Sequence, residues 1–517
     1  MTMASITGGS YPPALANDQE RERLALAIKD WSIANGLAVR PPPAVVGPQG
    51  DPRGIFAVNA PVTLFPSPFP RSCFQEAKAI QTAYNELYAS ISQDADFLEG
   101  LVQEVAGGDD FIANLWDVHL RVKGEGYVQS LDLGLFRSDY MVHQDGEALQ
   151  IKQVEFNTIA SSFGGLSAQT SKLHQYLAQT EYPLLQAAGP HASGLDLPAN
   201  HSAKGLAAGL ADAFTAYGPS TLGHPTCVLF LVQDGERNVF DQRRLEYELQ
   251  STHGIPVFRL PFSEVLARTS IAPSSPARQL LYSLPSSPAR VFEAAVVYLR
   301  AGYGPGDYPT PSAWEARHQI ERSGAIACPS VLTQLAGMKK VQQVLATPEP
   351  SGGVPTALRR FVPSETKAAG LLRTFTNIFP MDDTTPAGQA ARKMATDPEA
   401  CKKYVMKPQR EGGGNNFYRT AIPAHLASIP EAHWGSFILM ELITPPPLEN
   451  IILRNGALEQ GGVICELGVY GTCLWDRKTK AVLHNEESGY LLRTKGDQSE
   501  EGGVAAGYGC MDSCSLV

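Results

Sequence analysis

The chemistry is densest in the decapeptide Lys407-Pro-Gln-Arg-Glu411-Gly-Gly-Gly-Asn-Asn416. Three consecutive glycines can take φ > 0 and lie against a ligand with no Cβ in the way. Backbone N–H groups held in such a loop form a concave anion site. Lys407 can place a compact positive charge beside a phosphate. Glu411 is a hard oxygen donor of the kind Mg²⁺ accepts while bridging nucleotide phosphates. The segment therefore reads as a nucleotide-phosphate loop without Walker spacing, or as the tip of a β-hairpin, since Asn and Gly also make ordinary turns. A second cluster is Glu155-Phe-Asn157, followed by Ser161, Ser162, Gly164 and Gly165. Strand alternation puts Glu155 and Asn157 on one face, an acid and an amide carbonyl fit for Mg²⁺. The serines and glycines offer donors to a carboxylate. The alternative is a hairpin with a polar edge and a helix cap at Ser161. Glu466 sits within the apolar run Gly462–Gly468, where an acid must be paired or metal-bound. Lys339, in a helix opening near Thr333, meets an anion or is a solvated surface lysine.

The elements that must position these groups follow from pattern. Tyr404-Val405-Met406 is the end of a strand that delivers Lys407. Leu133–Phe136 leads into Arg137-Ser-Asp139, and a turn at Asp145-Gly146 returns the chain through Leu149–Val154 to Glu155. Cys227–Val232 reads as a buried parallel strand. The polar turn Glu236-Arg237-Asn238 after it opens a helix to Leu249 with Gln242 inside, and Gly254–Phe258 is a further strand. Strand, polar turn, helix is where α/β proteins place ligand contacts, and the whole is Rossmann-like. Ala294–Leu299 is another buried strand, ending in Arg300-Ala301-Gly302-Tyr303. Residues 268–290 are Pro- and Ser-rich and read as an exposed insertion loop around a short apolar stretch at Leu280. Phe437–Ile443 is a strand meeting a proline run, a junction that can offer backbone groups to an adenine edge. Helices are expected from Asp18, over 72–107, over Ser202–Tyr217 and over Trp314–Arg322, with a Pro-rich connector at 41–52.

Composition narrows the class. A chain of 517 residues, 43% hydrophobic and 18% charged, has room for two or three domains with full cores. A net charge of −10 without a basic run argues against a nucleic-acid partner. No window of about 18 apolar residues occurs, so no membrane span is expected. The N-terminal residues show neither a signal core nor an Arg-rich transit pattern, which points to the cytoplasm, with a plastid left open. The eight scattered cysteines suit a reducing compartment. Cys510 and Cys514 read as tail chemistry or, alternatively, a regulatory disulfide.

Six strings occur in one order: Arg137-Ser-Asp-Tyr-Met, Glu155-Phe-Asn157-Thr-Ile, Glu236-Arg-Asn-Val-Phe-Asp-Gln242, Lys407 to Asn416, Leu492-Arg493-Thr-Lys495 and Gly503-Val-Ala-Ala-Gly507. By these the chain resembles eukaryotic-type glutathione synthetase of the ATP-grasp superfamily, from about Leu131 to Gly507. The resemblance implies an α/β fold: an ATP-grasp core with a lid and an inserted Rossmann-like substrate-binding domain. Its divisions would be 1–220 (N-terminal helical and core part), 221–335 (substrate-binding) and 336–517 (core part with the Gly-rich lid). It implies a homodimer that joins glycine to γ-glutamylcysteine at the expense of ATP. Glu155, Asn157 and Glu411 would hold Mg²⁺, two ions per site. Lys339, Lys407 and Lys495 would contact ATP, under a loop of Gly412, Gly413, Gly414, Asn415, Asn416 and Tyr418. Met440, Glu441, Leu442, Ile443, Glu466 and Glu501 would complete the ATP site. Arg137, Ile159, Ala160, Ser161, Ser162, Glu236, Arg237, Asn238, Gln242, Arg300, Ala301, Gly302 and Tyr303 would hold γ-glutamylcysteine. Arg493, Val504 and Ala505 would hold the reacting end and glycine, with Arg493 and Arg137 the catalytic pair. Ala160, Ala301 and Leu442 depart from a serine, an aspartate and a lysine of animal members. A ligase using β-alanine, or a nucleotide-binding scaffold without turnover, are the other readings.

Overall fold

Two long strands organise the core, Leu131–Asp145 and Ala457–Asp476. In Leu131–Asp145, Leu133 and Leu135 point into one hydrophobic cluster while Phe136 and Tyr140 point into another, the period-2 alternation of a strand buried on both faces. The strand turns at Gly146, φ +58, and pairs antiparallel with Ala148–Asn157. Its other edge pairs with Ala457–Asp476. The seven-stranded sheet runs, in spatial order, 448–454, 62–63, 509–512, 482–496, 457–476, 131–145 and 148–157. The computed structural model describes residues 11–517 apart from 43–44, 48, 186–193, 348–351, 501–503, 505–506 and 508.

A second sheet is built on Thr226–Val232, whose unbroken apolar run suits a parallel strand covered on both faces. It pairs in parallel with Val257–Pro261 and with Ser287–Leu299, and the latter pairs in parallel with Ile326–Cys328. The helix Val239–His253 connects the first two. Residues 268–290 are not an insertion loop. Thr269–Ile271 and Leu280–Leu284 are antiparallel strands that extend this sheet. Prolines and serines fall in the turns between them, and composition alone hid the short apolar strands.

A third, four-stranded sheet orders 378–380, 438–441, 404–407 and 417–418. The hairpin reading of the glycine-rich segment holds here. Val405 and Met406 pair antiparallel with Tyr418 and Phe417, so the loop is the connection of a β-hairpin.

The helical expectations hold at their centres. Asp18–Ala34 is capped by Asn17, whose Oδ1 accepts from Glu20 N at 2.9 Å. The span 72–107 is two helices, Arg71–Ser92 and Ala95–Val105, broken where Asp94 caps the second. All eight cysteines are free and buried. Cys510 and Cys514 lie in separate short strands, 509–512 and 514–516, which pair with different neighbours. The C-terminus is thus part of the packed structure. Among the described residues no helix is long and apolar enough to cross a membrane.

Candidate active site

The middle of the Arg137 strand, the end of the Glu155 strand and the glycine-rich hairpin meet around a cavity of about 480 Å³. Lining it are Arg137, Glu155, Asn157, Ile159, Ala160, Lys407, Glu411, Gly412, Gly413, Asn416, Tyr418, Glu466 and Arg493. A second cavity, about 310 Å³, is lined by Glu236, Arg237, Asn238 and Arg300. The two share Ser162, Phe163, Tyr303 and Val504, so they adjoin at one wall.

Lys339 is not a solvated lysine. It is 3% exposed, and its Nζ lies 3.0 Å from Glu155 Oε2 and 3.1 Å from Glu411 Oε1. Burial alone would lower its pKa; the two carboxylates outweigh burial and hold it protonated. Lys407 donates to the carbonyl of Val154 at 2.8 Å; burial, with Lys339 close by, lowers its pKa. The carboxylates divide. Burial would raise Glu155, but Lys339 and Lys407 hold it well below the usual range. Glu411 is raised, by burial first and by the Glu155 charge against the pull of Lys339.

Arg137 and Arg493 come from different strands and meet at one acid. Asp139, 0% exposed, accepts from Arg137 Nε at 2.6 Å, from Arg137 Nη2 at 2.8 Å and from Arg493 Nη2 at 3.0 Å. Arg493 also pairs with Glu466, which answers how that acid is tolerated within an apolar strand. The bidentate edge of Arg137 is therefore engaged inside the protein. A substrate carboxylate would meet its Nη1 side, which donates to Ser162 O at 3.2 Å.

Ser161 and Ser162 do not cap a helix. The helix begins at Gly164, after Phe163 at φ +74. Its first amides are taken by Asp241 from the helix Val239–His253: Phe163 N at 2.7 Å, Gly165 N at 2.7 Å and Leu166 N at 3.1 Å. Arg300 then reaches under this turn, donating to Ser161 O at 2.9 Å and Ser162 Oγ at 2.6 Å. Glu236 accepts from Asn238 N and from Gln242 Nε2, so Gln242 supports Glu236 and lines neither cavity. The turn at Ala301 and Gly302 is fixed by Asp307, whose Oδ2 accepts from Gly302 N at 2.8 Å.

Other expected residues stand further off. Gly414 and Asn415 belong to the hairpin connection but line neither cavity. Lys495 lies beside Glu466 and Arg493 around a small adjoining pocket. Met440 is buried, and Glu441, Leu442 and Ile443 line neither cavity. The N–H groups of Glu441 and Leu442 already bond Asn377 O and Lys403 O at 2.9 Å each. Glu501 and Ala505 lie outside the described residues.

Several groups in or behind the cavity walls were missed. Asp139 and Asp241 were quoted only within motifs, although strand alternation already puts Asp139 on the face of Arg137. Pro42 comes from the segment read as a connector, and Val39, Val58, Asn59 and Pro61 flank it; none carries a local signal of a site. Arg454 and Asn455 come from a hairpin tip, and Arg454 Nη1 donates to Gly507 O at 2.8 Å.

The residues fit a divalent cation. No group of three or more His, Cys, Asp or Glu side chains converges among the described residues. Two carboxylates, Glu155 and Glu411, do converge on the single Nζ of Lys339, and Asn157 donates its Nδ2 to Asp139, which leaves its amide oxygen as the outward donor. One or two carboxylates completed by phosphate oxygens is how Mg²⁺ is usually held.

A glycine-rich hairpin on a small antiparallel sheet, closing over cations and carboxylates at the edge of a larger sheet, defines a mixed α/β protein of the ATP-grasp class. The family model described as eukaryotic glutathione synthase, ATP binding domain, matches residues 18–516. The chain is 38% identical over 518 residues to the glutathione synthetase large chain of Schizosaccharomyces pombe, covering 96% of this chain and 98% of that one. It is 38% identical over 509 residues to glutathione synthetase of Bos taurus, with the same coverage. A solved apo-form glutathione synthetase-like effector from Globodera pallida shares the fold, with a TM-score of 0.72, 22% identity and 97% and 98% coverage. The chain belongs to the eukaryotic glutathione synthase family.

Proposed function

We propose that the chain is an ATP-dependent ligase that joins the amine of glycine to the cysteinyl carboxylate of γ-glutamylcysteine, giving glutathione, ADP and phosphate. The observation that carries this is the pair of adjoining cavities. One has the lysine Lys407, the carboxylates Glu155, Glu411 and Glu466 and the glycine loop of a nucleotide site, with Lys339 behind two of those carboxylates. The other has the arginine, acid and amides of an amino-acid site. Their shared wall would bring a substrate carboxylate beside a γ-phosphate.

Phosphoryl transfer needs positioning and charge neutralisation rather than a covalent protein nucleophile. Lys407 and Lys339 would hold the phosphates, and Arg137 and Arg493 the reacting carboxylate. Transfer of the γ-phosphoryl group to that carboxylate makes an acyl phosphate, and attack by the glycine amine at its carbonyl carbon expels phosphate. Water would destroy the acyl phosphate, so the hairpin Gly412–Gly414 closing over the cavity is part of the chemistry. Fully ionised, the cations Arg137, Arg493, Lys339 and Lys407 are matched by the carboxylates Asp139, Glu155, Glu411 and Glu466. An approximately neutral site cannot take a polyanionic nucleotide without added cations. Mg²⁺ held by Glu155, Asn157 and Glu411, two ions per site, would supply that neutralisation.

Glycine is the amine we assign, ahead of β-alanine, because the chain has Ala505-Ala506 where family members that prefer β-alanine carry Leu-Pro; the pair lies outside the described residues. Incubating the protein with ATP, Mg²⁺, γ-glutamylcysteine and each amine tests it. Glutathione and stoichiometric phosphate should form, with glycine favoured by roughly ten- to a hundredfold in kcat/KM, the worth of one methylene in an enclosed pocket. A preference for β-alanine would replace the acceptor, and no turnover with either would leave a scaffold. We further propose divisions near 1–220, 221–335 and 336–517, a homodimer measurable by light scattering, and a cytoplasmic location.

A further inference from the structure

We infer that Asp139 is a positioning residue that holds Arg137 and Arg493 as one rigid cationic floor, and that Gly468 is the space that admits it. This rests on the reading of the cavity as a ligase site.

Asp139 is wholly buried and lines neither cavity, so it does not touch substrate itself. Its two oxygens are engaged by three site residues from three strands. Oδ1 takes Arg137 Nε at 2.6 Å; Oδ2 takes Arg137 Nη2 at 2.8 Å, Arg493 Nη2 at 3.0 Å and Asn157 Nδ2 at 3.0 Å. A guanidinium gripped on one edge by a carboxylate has a fixed plane and a fixed free side. Two guanidinium groups sharing one carboxylate are fixed relative to each other as well. Without it, two like charges would have to be held close in a buried place, which is costly.

The opposite strand is shaped for this arrangement. Gly468 stands directly across from Asp139 in the pairing of 457–476 with 131–145. A Cβ there would lie 2.8 Å from Arg137 Cδ and 2.8 Å from Asp139 Oδ1. That is closer than a real Cβ approaches such atoms, so any side chain at 468 displaces the pair. The φ at Gly468 is not in the left-handed region, so the glycine is required by space and not by backbone conformation.

Two variants test this. Asp139→Asn keeps the shape and removes the charge. Gly468→Ala keeps every charge and displaces the pair, so it carries the test even where Asp139→Asn fails to fold. The KM values for γ-glutamylcysteine, glycine and ATP are measured for each, with melting temperature alongside. The expected result is a KM for γ-glutamylcysteine raised tenfold or more, with the KM for ATP changed less than threefold. Equal changes in all three constants that follow the melting temperature, or no change in Gly468→Ala, would overturn the role. Should the wild type make no glutathione, the ligase reading fails. Titration of γ-glutamylcysteine into wild type and Gly468→Ala would then read the positioning role on its own: tenfold weaker binding to the variant supports it, and equal binding overturns it.

Discussion

One strand, Leu131–Asp145, carries buried charge on both of its faces, and the two faces behave differently. Arg137 and Asp139 point to the side shared with Arg493 and Glu466, where a cavity opens. Asp132, on the opposite face, meets Arg477 at 3.1 Å, with Arg317 and Glu321 close by. Arg317 is 0% exposed, and its Nε and Nη1 have no hydrogen-bond partner among the described residues. Neither cavity reaches this second cluster. Both clusters pair acids with arginines and both perturb ionisation. Buried charge and shifted pKa therefore do not by themselves mark a site; the opening beside them does.

The contrast is sharpest in what a neutral substitution should do. Lys339→Met removes the cation shared by Glu155 and Glu411 and leaves two acids facing each other. We expect kcat/KM to fall by about 10³-fold or more, roughly 4 kcal/mol of transition-state stabilisation, with far-UV circular dichroism unchanged. Activity within tenfold of wild type would remove Lys339 from the chemistry. Arg317→Met should do the reverse. It leaves Glu321 buried without its partner, a change of about 3–5 kcal/mol in stability by denaturant titration. Its kcat/KM should stay within about threefold below the melting range. A large catalytic defect in the folded variant would erase the distinction between the faces.

The second cluster should also report on pH. His119, 2% exposed, has its Nδ1 2.8 Å from Tyr127 Oη, and the Tyr127 ring lies under Arg477. Burial first, then the positive charges of Lys123 and Arg477, lower its pKa from 6.5 to about 4. The unfolded chain takes up this proton near pH 6.5 and the folded chain only near pH 4. Stability thus falls as pH drops through that window, by at most about 3 kcal/mol from this group. His119→Gln should flatten that part of the profile, and an unchanged profile would assign the acid sensitivity elsewhere.

The smallest expected effect concerns the loop over the first face. Gly412 has φ +84, which a β-branched residue adopts only under strain, while its added Cβ would meet nothing closer than Tyr303 Cε2 at 3.8 Å. Gly412→Val should slow turnover about ten- to a hundredfold and shift the melting temperature by no more than about 2 °C, because the loop is exposed. Protection of the loop from protease by ATP should weaken in parallel. Protection equal to wild type would take the hairpin out of closure.

Residue type and spacing told a good deal about this chain. The turn at Asp145-Gly146, the strand before Lys407, the pairing of Glu155 with Asn157 on one face and the parallel strand at Cys227 are local patterns. Each is set by φ/ψ preference, strand period and apolar run within a few residues. The six ordered strings were enough to place the family. The insertion at 268–290 was misread because its strands are short and Pro- and Ser-rich turns dominate its composition.

What only the tertiary structure decided are the meetings between segments far apart in the chain. Lys339 reads as a surface lysine until Glu155 and Glu411 are brought to it from 184 residues upstream and 72 downstream. Asp139 is one acid in a motif until Arg493, from a strand some 350 residues later, shares it with Arg137. The helix at Gly164 is capped by Asp241, and a connector near Pro42 becomes a cavity wall. Local sequence sets backbone conformation and the face a side chain takes. The charge that a buried group meets there is set by which distant strand lies against it, and that is decided by the packing of the whole chain.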